Sequence, residues 1–194
     1  KPGQVLIKVE ATPINPSDLG LLFASADTDN ADYSPGKVVA KMPDAATRAF
    51  KARHGLAMPA GNEAAGIVVA AGDAPAAQAL MGKRVACVPG TAYATYAIAD
   101  ASMAFAVDDN VSAEQAASSF VNPMTALGFT ETMKLEGFTS LVHAAAASNL
   151  GQMLVKICLE DNIPLVNIVR SEAQVKLLKD LGATHVLNMT DADY

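Results

Sequence analysis

Residues 141–154 read LVHAAAASNLGQML, an apolar run that passes through a block of small residues into a helix-forming run. A strand closing on Ser or Asn and opening a helix leaves free N–H groups at the helix start, where the dipole favours a phosphate. In a dinucleotide-binding turn three fingerprint positions must be small, so that backbone can approach pyrophosphate and helix can approach strand. Here those positions fall on Ala146, Ser148 and Gly151. Only one is glycine, and the same letters also fit a plain strand, cap and helix with no ligand. The next apolar run, 165–169, ends at Arg170, 19 residues beyond Gly151. A dinucleotide fold reads the ribose at that point: an acidic residue suits the two hydroxyls, whereas Arg suits a ribose 2′-phosphate. A solvated residue at a strand end is the other reading of Arg170.

Working outward, the spacing predicts strands at 140–145, 165–169 and 185–187 and helices at 149–159 and 171–181. That β-α-β-α-β order is one half of a doubly wound parallel sheet. Upstream, SAEQ at 112–115 is a capping-box start, and a second helix is expected at 123–134 after an Asn122-Pro123 break. Still earlier, 5–11, 66–71, 84–88 and 95–99 are short β-rich runs bounded by Gly, Pro or Asp, which suggests a small antiparallel, partly barrel-like domain. Between them, 24–60 reads as a long loop with one short helix at 44–52, and long loops in compact domains are often functional. The expected class is therefore α/β, with a β-rich domain at 1–111 and a partial doubly wound domain at 112–194.

Composition narrows the function. The chain has 194 residues, 51% of them hydrophobic, and 14 basic against 20 acidic side chains give a net charge of -6. With no block of Lys or Arg, neither nucleic acid nor an anionic membrane is an expected partner. The two cysteines, Cys87 and Cys158, lie far apart in no metal-binding spacing, which suits a reducing compartment such as the cytoplasm. No apolar run approaches the ~18 residues of a membrane helix. The opening KPGQVLIKVE has no initiator Met and enters a strand at once, so a trimmed start is expected, as is a longer chain completing the sheet.

Six stretches, in this order and spacing, resemble the medium-chain dehydrogenase/reductase superfamily on its quinone oxidoreductase and enoyl thioester reductase side. They are INPSD (14–18), GNEAAGIVVAAG (61–72), GKRVA (82–86), VNPMTALG (121–128), LVHAAAASNLGQ (141–152) and LLKDLGATHVLN (177–188). The resemblance covers nearly the whole chain. It implies a GroES-like catalytic domain followed by a Rossmann domain, with the active site in the cleft between them. It also implies Asn15, Asn62, Asn122 and Thr125 in the cleft, Asp18 as an orienting residue, and cofactor contacts from Ala147, Ser148, Asn149, Leu150, Gly151, Arg170 and Asn188. The implied cofactor is NADPH, and the full-length protein is expected to be a homodimer.

Zinc-dependent relatives carry a Cys and a His where this chain has Asn15 and Asn62, and a neutral amide is a poor zinc ligand. The four-cysteine structural zinc loop is also missing, and His54, His143 and His185 have no second ligand at turn or helical spacing. No metal is therefore expected. His143, inside an apolar strand, is expected to be a hydrogen-bonded core residue. Without zinc the implied chemistry is hydride transfer to a quinone, an enone or an enoyl thioester, whose own conjugation spreads the charge. Enoyl thioester reductases place a proton-donating Tyr soon after the NPSD loop; Tyr33 is the local candidate, although it lies further on and lacks the family's surroundings. Three readings stand: an NADPH-dependent quinone or enone reductase, a 2-enoyl thioester reductase, and a non-catalytic NADPH-binding redox sensor. Turn chemistry beside Pro16 remains a rival account of Asn15 and Asp18.

Overall fold

Alternating burial along Gln4–Ala11 (β1) sends Val5 and Ile7 inward, and this strand is paired along both edges inside the first sheet. In the computed structural model, which describes residues 1–191, the chain divides into two units, 1–118 and 119–194. The last three residues of the expected second domain, 192–194, lie outside the described ones.

In the first unit β1 is followed by α1 (Pro16–Leu22), β2 (Asp27–Ser34), β3 (Lys37–Lys41) and α2 (Asp44–Ala49). Next come β4 (Ala64–Ala71), α3 (Pro75–Gln78), β5 (Arg84–Cys87), β6 (Tyr96–Asp100), β7 (Ala104–Ala106) and α4 (Ala113–Ala117). The strands form an antiparallel sheet in the order β6-β1-β4-β5-β7. Val5, Ile7, Val68, Val85 and Cys87 close its core, the four aliphatic side chains each worth roughly 1.5–3 kcal/mol of apolar burial.

Two expectations for this unit change. The segment expected as a loop contains the hairpin β2-β3, joined at Pro35-Gly36. Its first strand, DTDNADYS, is mostly exposed, so it lacks the apolar alternation that reveals a half-buried strand; backbone pairing alone makes it one. Helix α4, placed by sequence in the second domain, belongs to the first. Its buried Ala116 and Ala117 pack with Ala65 of β4, and the unit ends at Ser118 rather than near 111.

The second unit runs α5 (Val121–Leu135), β8 (Leu141–Ala144), α6 (Asn149–Glu160), β9 (Leu165–Val169), α7 (Glu172–Asp180) and β10 (His185–Asn188). Its three strands are parallel in the order β10-β9-β8. That is the 3-2-1 side of a doubly wound sheet. Helix α5 starts two residues before Pro123, because a proline in the first turn forfeits an N–H that has no helical acceptor anyway. His143 is a further correction: its Nε2 is buried with no hydrogen-bond partner among the described residues, and its ring leans on Phe129 with centroids 5.8 Å apart. Burial holds its pKa below the usual imidazole value.

Candidate functional site

The first unit gathers a polar cluster around α1. Asn15 precedes Pro16 at the helix start; its backbone N–H donates to Asp18 Oδ2 at 2.9 Å, and Asp18 N donates back to Asn15 O at 3.0 Å. Asp18 is 1% exposed, and its other oxygen accepts from Asn62 N at 3.0 Å and Asn62 Nδ2 at 2.9 Å. Asn62 Nδ2 also donates to Ser17 Oγ at 3.2 Å, while Asn15 Nδ2 donates to Glu63 Oε1 at 3.1 Å. Two buried carboxylates thus hold the two amides, and Asn15 keeps one amide N–H beyond this bond. Turn chemistry and site geometry coincide here, since the bonds that start α1 also orient Asn62.

The stretch 90–93 runs beside 60–62 through Gly90 N to Asn62 O, Ala92 N to Gly61 O and Tyr93 N to Ala60 O. Gly61 has φ 87°, and a Cβ there would lie 2.6 Å from both Tyr93 N and Tyr93 Cδ1, so only glycine permits the approach. Tyr93 is thereby set against the cluster, and its hydroxyl donates to Pro13 O at 3.1 Å. Partial burial and, next, the Asp18 carboxylate raise its phenol above the ordinary value. Tyr33 behaves otherwise. It is 64% exposed in β2, its hydroxyl donates to Thr28 O at 2.8 Å inside its own hairpin, and no hydrogen bond among the described residues links it to Asn15, Asp18 or Asn62. Sequence reading missed Glu63 and Tyr93. Behind Glu63, burial pushes the Cys87 thiol up to about 11, opposed by hydrogen bonding from the Ala64 backbone and reinforced by Glu63.

The second unit carries a pocket of about 440 Å³ at the carboxyl ends of its strands, lined by Ala147, Ser148, Arg170, Gln174 and Met189 among others. Ser148 caps α6: its Oγ accepts from Gly151 N at 3.1 Å and its carbonyl from Gln152 N at 2.9 Å. The N–H groups of Asn149 and Leu150, in the first turn, have no intrahelical acceptor. A Cβ on Gly151 would lie 2.2 Å from Ala146 O, so glycine here lets helix and strand touch. Ala145 adopts φ 54°, a left-handed conformation uncommon for alanine, where the chain turns from β8 toward the helix.

At the next turn Ser171 caps α7, and Gln174 Oε1 accepts from Arg170 N at 3.0 Å. Among the described residues no carboxylate forms an ion pair with Arg170. Glu172 accepts instead from Asn188 Nδ2 at 2.8 Å. The pocket thus brings Ala147, Ser148 and Arg170 together, and Asn188 stands one residue before Met189. Asn122 and Thr125 lie at the start of α5, where Thr125 Oγ1 donates to Val121 O at 2.7 Å.

A GroES-like β unit followed by a parallel sheet with a phosphate-type turn is the two-part plan of medium-chain dehydrogenases and reductases. Residues 1–109 match the alcohol dehydrogenase GroES-like domain, and the chain belongs to that family within the medium-chain superfamily. A solved structure from Mesorhizobium loti, provisionally described as an NADPH:quinone reductase, is 36% identical, with a TM-score of 0.73 over 100% of this chain and 50% of that one. A mycobacterial protein solved in complex with NADPH is 26% identical, with a TM-score of 0.71 over 98% of this chain and 51% of its own. Mouse mitochondrial enoyl-[acyl-carrier-protein] reductase is 27% identical over 192 residues, 94% of this chain and 44% of that protein. The chain spans about half the length of these relatives. No helix among the described residues is long and apolar enough to cross a membrane, and none of their His, Cys, Asp and Glu side chains form a metal-binding group of three.

Proposed function

We propose that the protein is an NADPH-dependent reductase that reduces a quinone or another α,β-unsaturated carbonyl compound without zinc. The observation that carries this reading is the pocket joining the capped start of α6 to Arg170. The residues present fit the cofactor: Gly151 permits the close strand-to-helix turn, and Arg170, with no ion pair among the described residues, offers its fork to a 2′-phosphate. When bound, NADPH supplies the hydride.

The remaining work falls to the chain itself. Asn149 and Leu150 N–H groups would hold the pyrophosphate and Arg170 the 2′-phosphate, with Asn122 and Thr125 assigned to the cofactor by family resemblance. Asn15, fixed by Glu63, presents its spare amide N–H to the substrate carbonyl as charge develops there. Asp18 orients Asn62. Tyr93 replaces Tyr33 as our candidate for the group that holds the proton, at its Oη. With amides at the positions where zinc-dependent relatives have a Cys and a His, polarisation comes from N–H donors.

Reduction of 2-enoyl thioesters is the second reading, favoured by the likeness to mitochondrial enoyl-[acyl-carrier-protein] reductases along nearly the whole chain. A cytoplasmic homodimer belongs to the same proposal. Steady-state NADPH oxidation by the dialysed full-length protein, with 1,4-benzoquinone in one cuvette and crotonyl-CoA in another, tests it. Turnover with the quinone and less than about a tenth of an equivalent of zinc is expected. Turnover with crotonyl-CoA alone supports the second reading, and NADPH binding with no turnover defeats both.

A further inference from the structure

At the end of β10, Asn188 is 5% exposed, and its amide is fully committed. Nδ2 donates to Glu172 Oε1 at 2.8 Å and Asp191 Oδ1 at 3.1 Å, while Oδ1 accepts from Thr190 N at 3.3 Å and Thr190 Oγ1 at 2.9 Å. With acceptors on one side and donors on the other, the amide has one workable orientation. The parallel register places Asn188 beside Val169, the residue before Arg170, and Met189 N donates to Val169 O at 2.9 Å. The side chain that holds Glu172 is therefore one strand neighbour away from the base of Arg170.

We infer that Asn188 determines cofactor specificity by holding the Glu172 carboxylate in place, which keeps that carboxylate off Arg170 and leaves the guanidinium to receive a 2′-phosphate. This rests on the NADPH reading above. Glu172 opens α7 only two residues after Arg170. Released, its carboxylate has three outlets: it pairs with the Arg170 guanidinium, it repels a 2′-phosphate, or it accepts hydrogen bonds from the ribose diol of a nucleotide that lacks that phosphate. Each one lowers the preference for the phosphorylated nucleotide. The neutral Asn188 amide prevents all three, because its donors satisfy the carboxylate without adding charge.

The test titrates full-length protein with adenosine 2′,5′-bisphosphate and with 5′-AMP, two probes that differ only in the 2′-phosphate. The wild type is expected to prefer the bisphosphate. Asn188→Leu should cut that preference about tenfold, the scale of one like charge brought close in a partly solvated site. Asn188→Ser, too short to reach Glu172, should act alike and retains a polar group should the leucine variant fail to fold. Adding Glu172→Gln to either should restore the preference, a rescue that a purely structural role of Asn188 does not produce. Equal weakening of both probes, or no rescue, overturns the inference while leaving the NADPH reading intact if Arg170→Ala still abolishes the preference. A wild type indifferent to the 2′-phosphate overturns both.

Discussion

Asn62 meets Asp18 twice at a single oxygen: its backbone N–H and its side-chain Nδ2 both reach Oδ1, at 3.0 and 2.9 Å. The other Asp18 oxygen takes the Asn15 N–H, so one buried side chain ties the start of α1 to the segment that leads into β4. Asp18→Asn removes acceptor capacity without changing shape, which leaves at least one buried N–H unsatisfied. A loss of about 1–3 kcal/mol in stability is expected in a urea titration, together with reduced turnover because Asn62 loses its support.

Tyr93→Phe keeps the ring beside Gly61 and deletes the hydroxyl that binds Pro13 O. If Tyr93 holds the proton, turnover should fall by about 10²-fold or more at little cost in stability. Tyr33→Phe, which alters only the hairpin bond to Thr28 O, should leave turnover within about twofold. Equal effects from the two variants would remove Tyr93 from the mechanism.

Arg170→Ala is expected to weaken NADPH by about 1.5–3 kcal/mol, the range for a hydrogen bond to a charged group, and to leave NADH nearly unchanged. Paired calorimetric titrations measure both. Parallel losses would mark Arg170 as structural.

Gly151→Ala drives a Cβ to 2.2 Å from Ala146 O, against backbone that cannot rotate away. Helix α6 must shift outward from β8, and the expected outcome is a loss of about 1–3 kcal/mol in thermal or urea unfolding, with weaker nucleotide binding.

Cys87 gives the stability curve an alkaline limb. Its thiol is raised from 9.0 to about 11 in the folded chain, so between those values the unfolded state has released its proton and the folded state has not. Stability is complete below pH 9 and falls as pH rises toward 11, by about 2–3 kcal/mol at 1.36 kcal/mol for each unit. Cys87→Ala should flatten that limb in urea titrations at successive pH values. An unchanged slope would assign the alkaline loss to other groups.

Much of the second unit was legible because its signals are local. The residues of β9 are those expected at 165–169, and Ser148 and Ser171 cap the helices that their positions announce. The polar cluster was legible only in part. Asn15, Asp18 and Asn62 stood out through their motifs, but Glu63 meets Asn15 across 48 residues and Tyr93 meets Pro13 across 80. No periodicity encodes such distances; they follow from the pairing of β1 with β4 and from the approach of 90–93 to Gly61. In the same way, the sequence put Arg170 at a strand end as the expected 2′-phosphate residue but gave no sign of what would hold Glu172 at the start of α7. By itself, then, the sequence determined the elements, their order and the amides at the positions of the zinc ligands, since caps, small residues and apolar periods act over a few neighbours. Only the tertiary structure decided which tyrosine joins the cluster and that Asn188 claims Glu172, because hydrogen bonds between distant segments depend on strand register and on the close approaches that Gly61 and Gly151 allow.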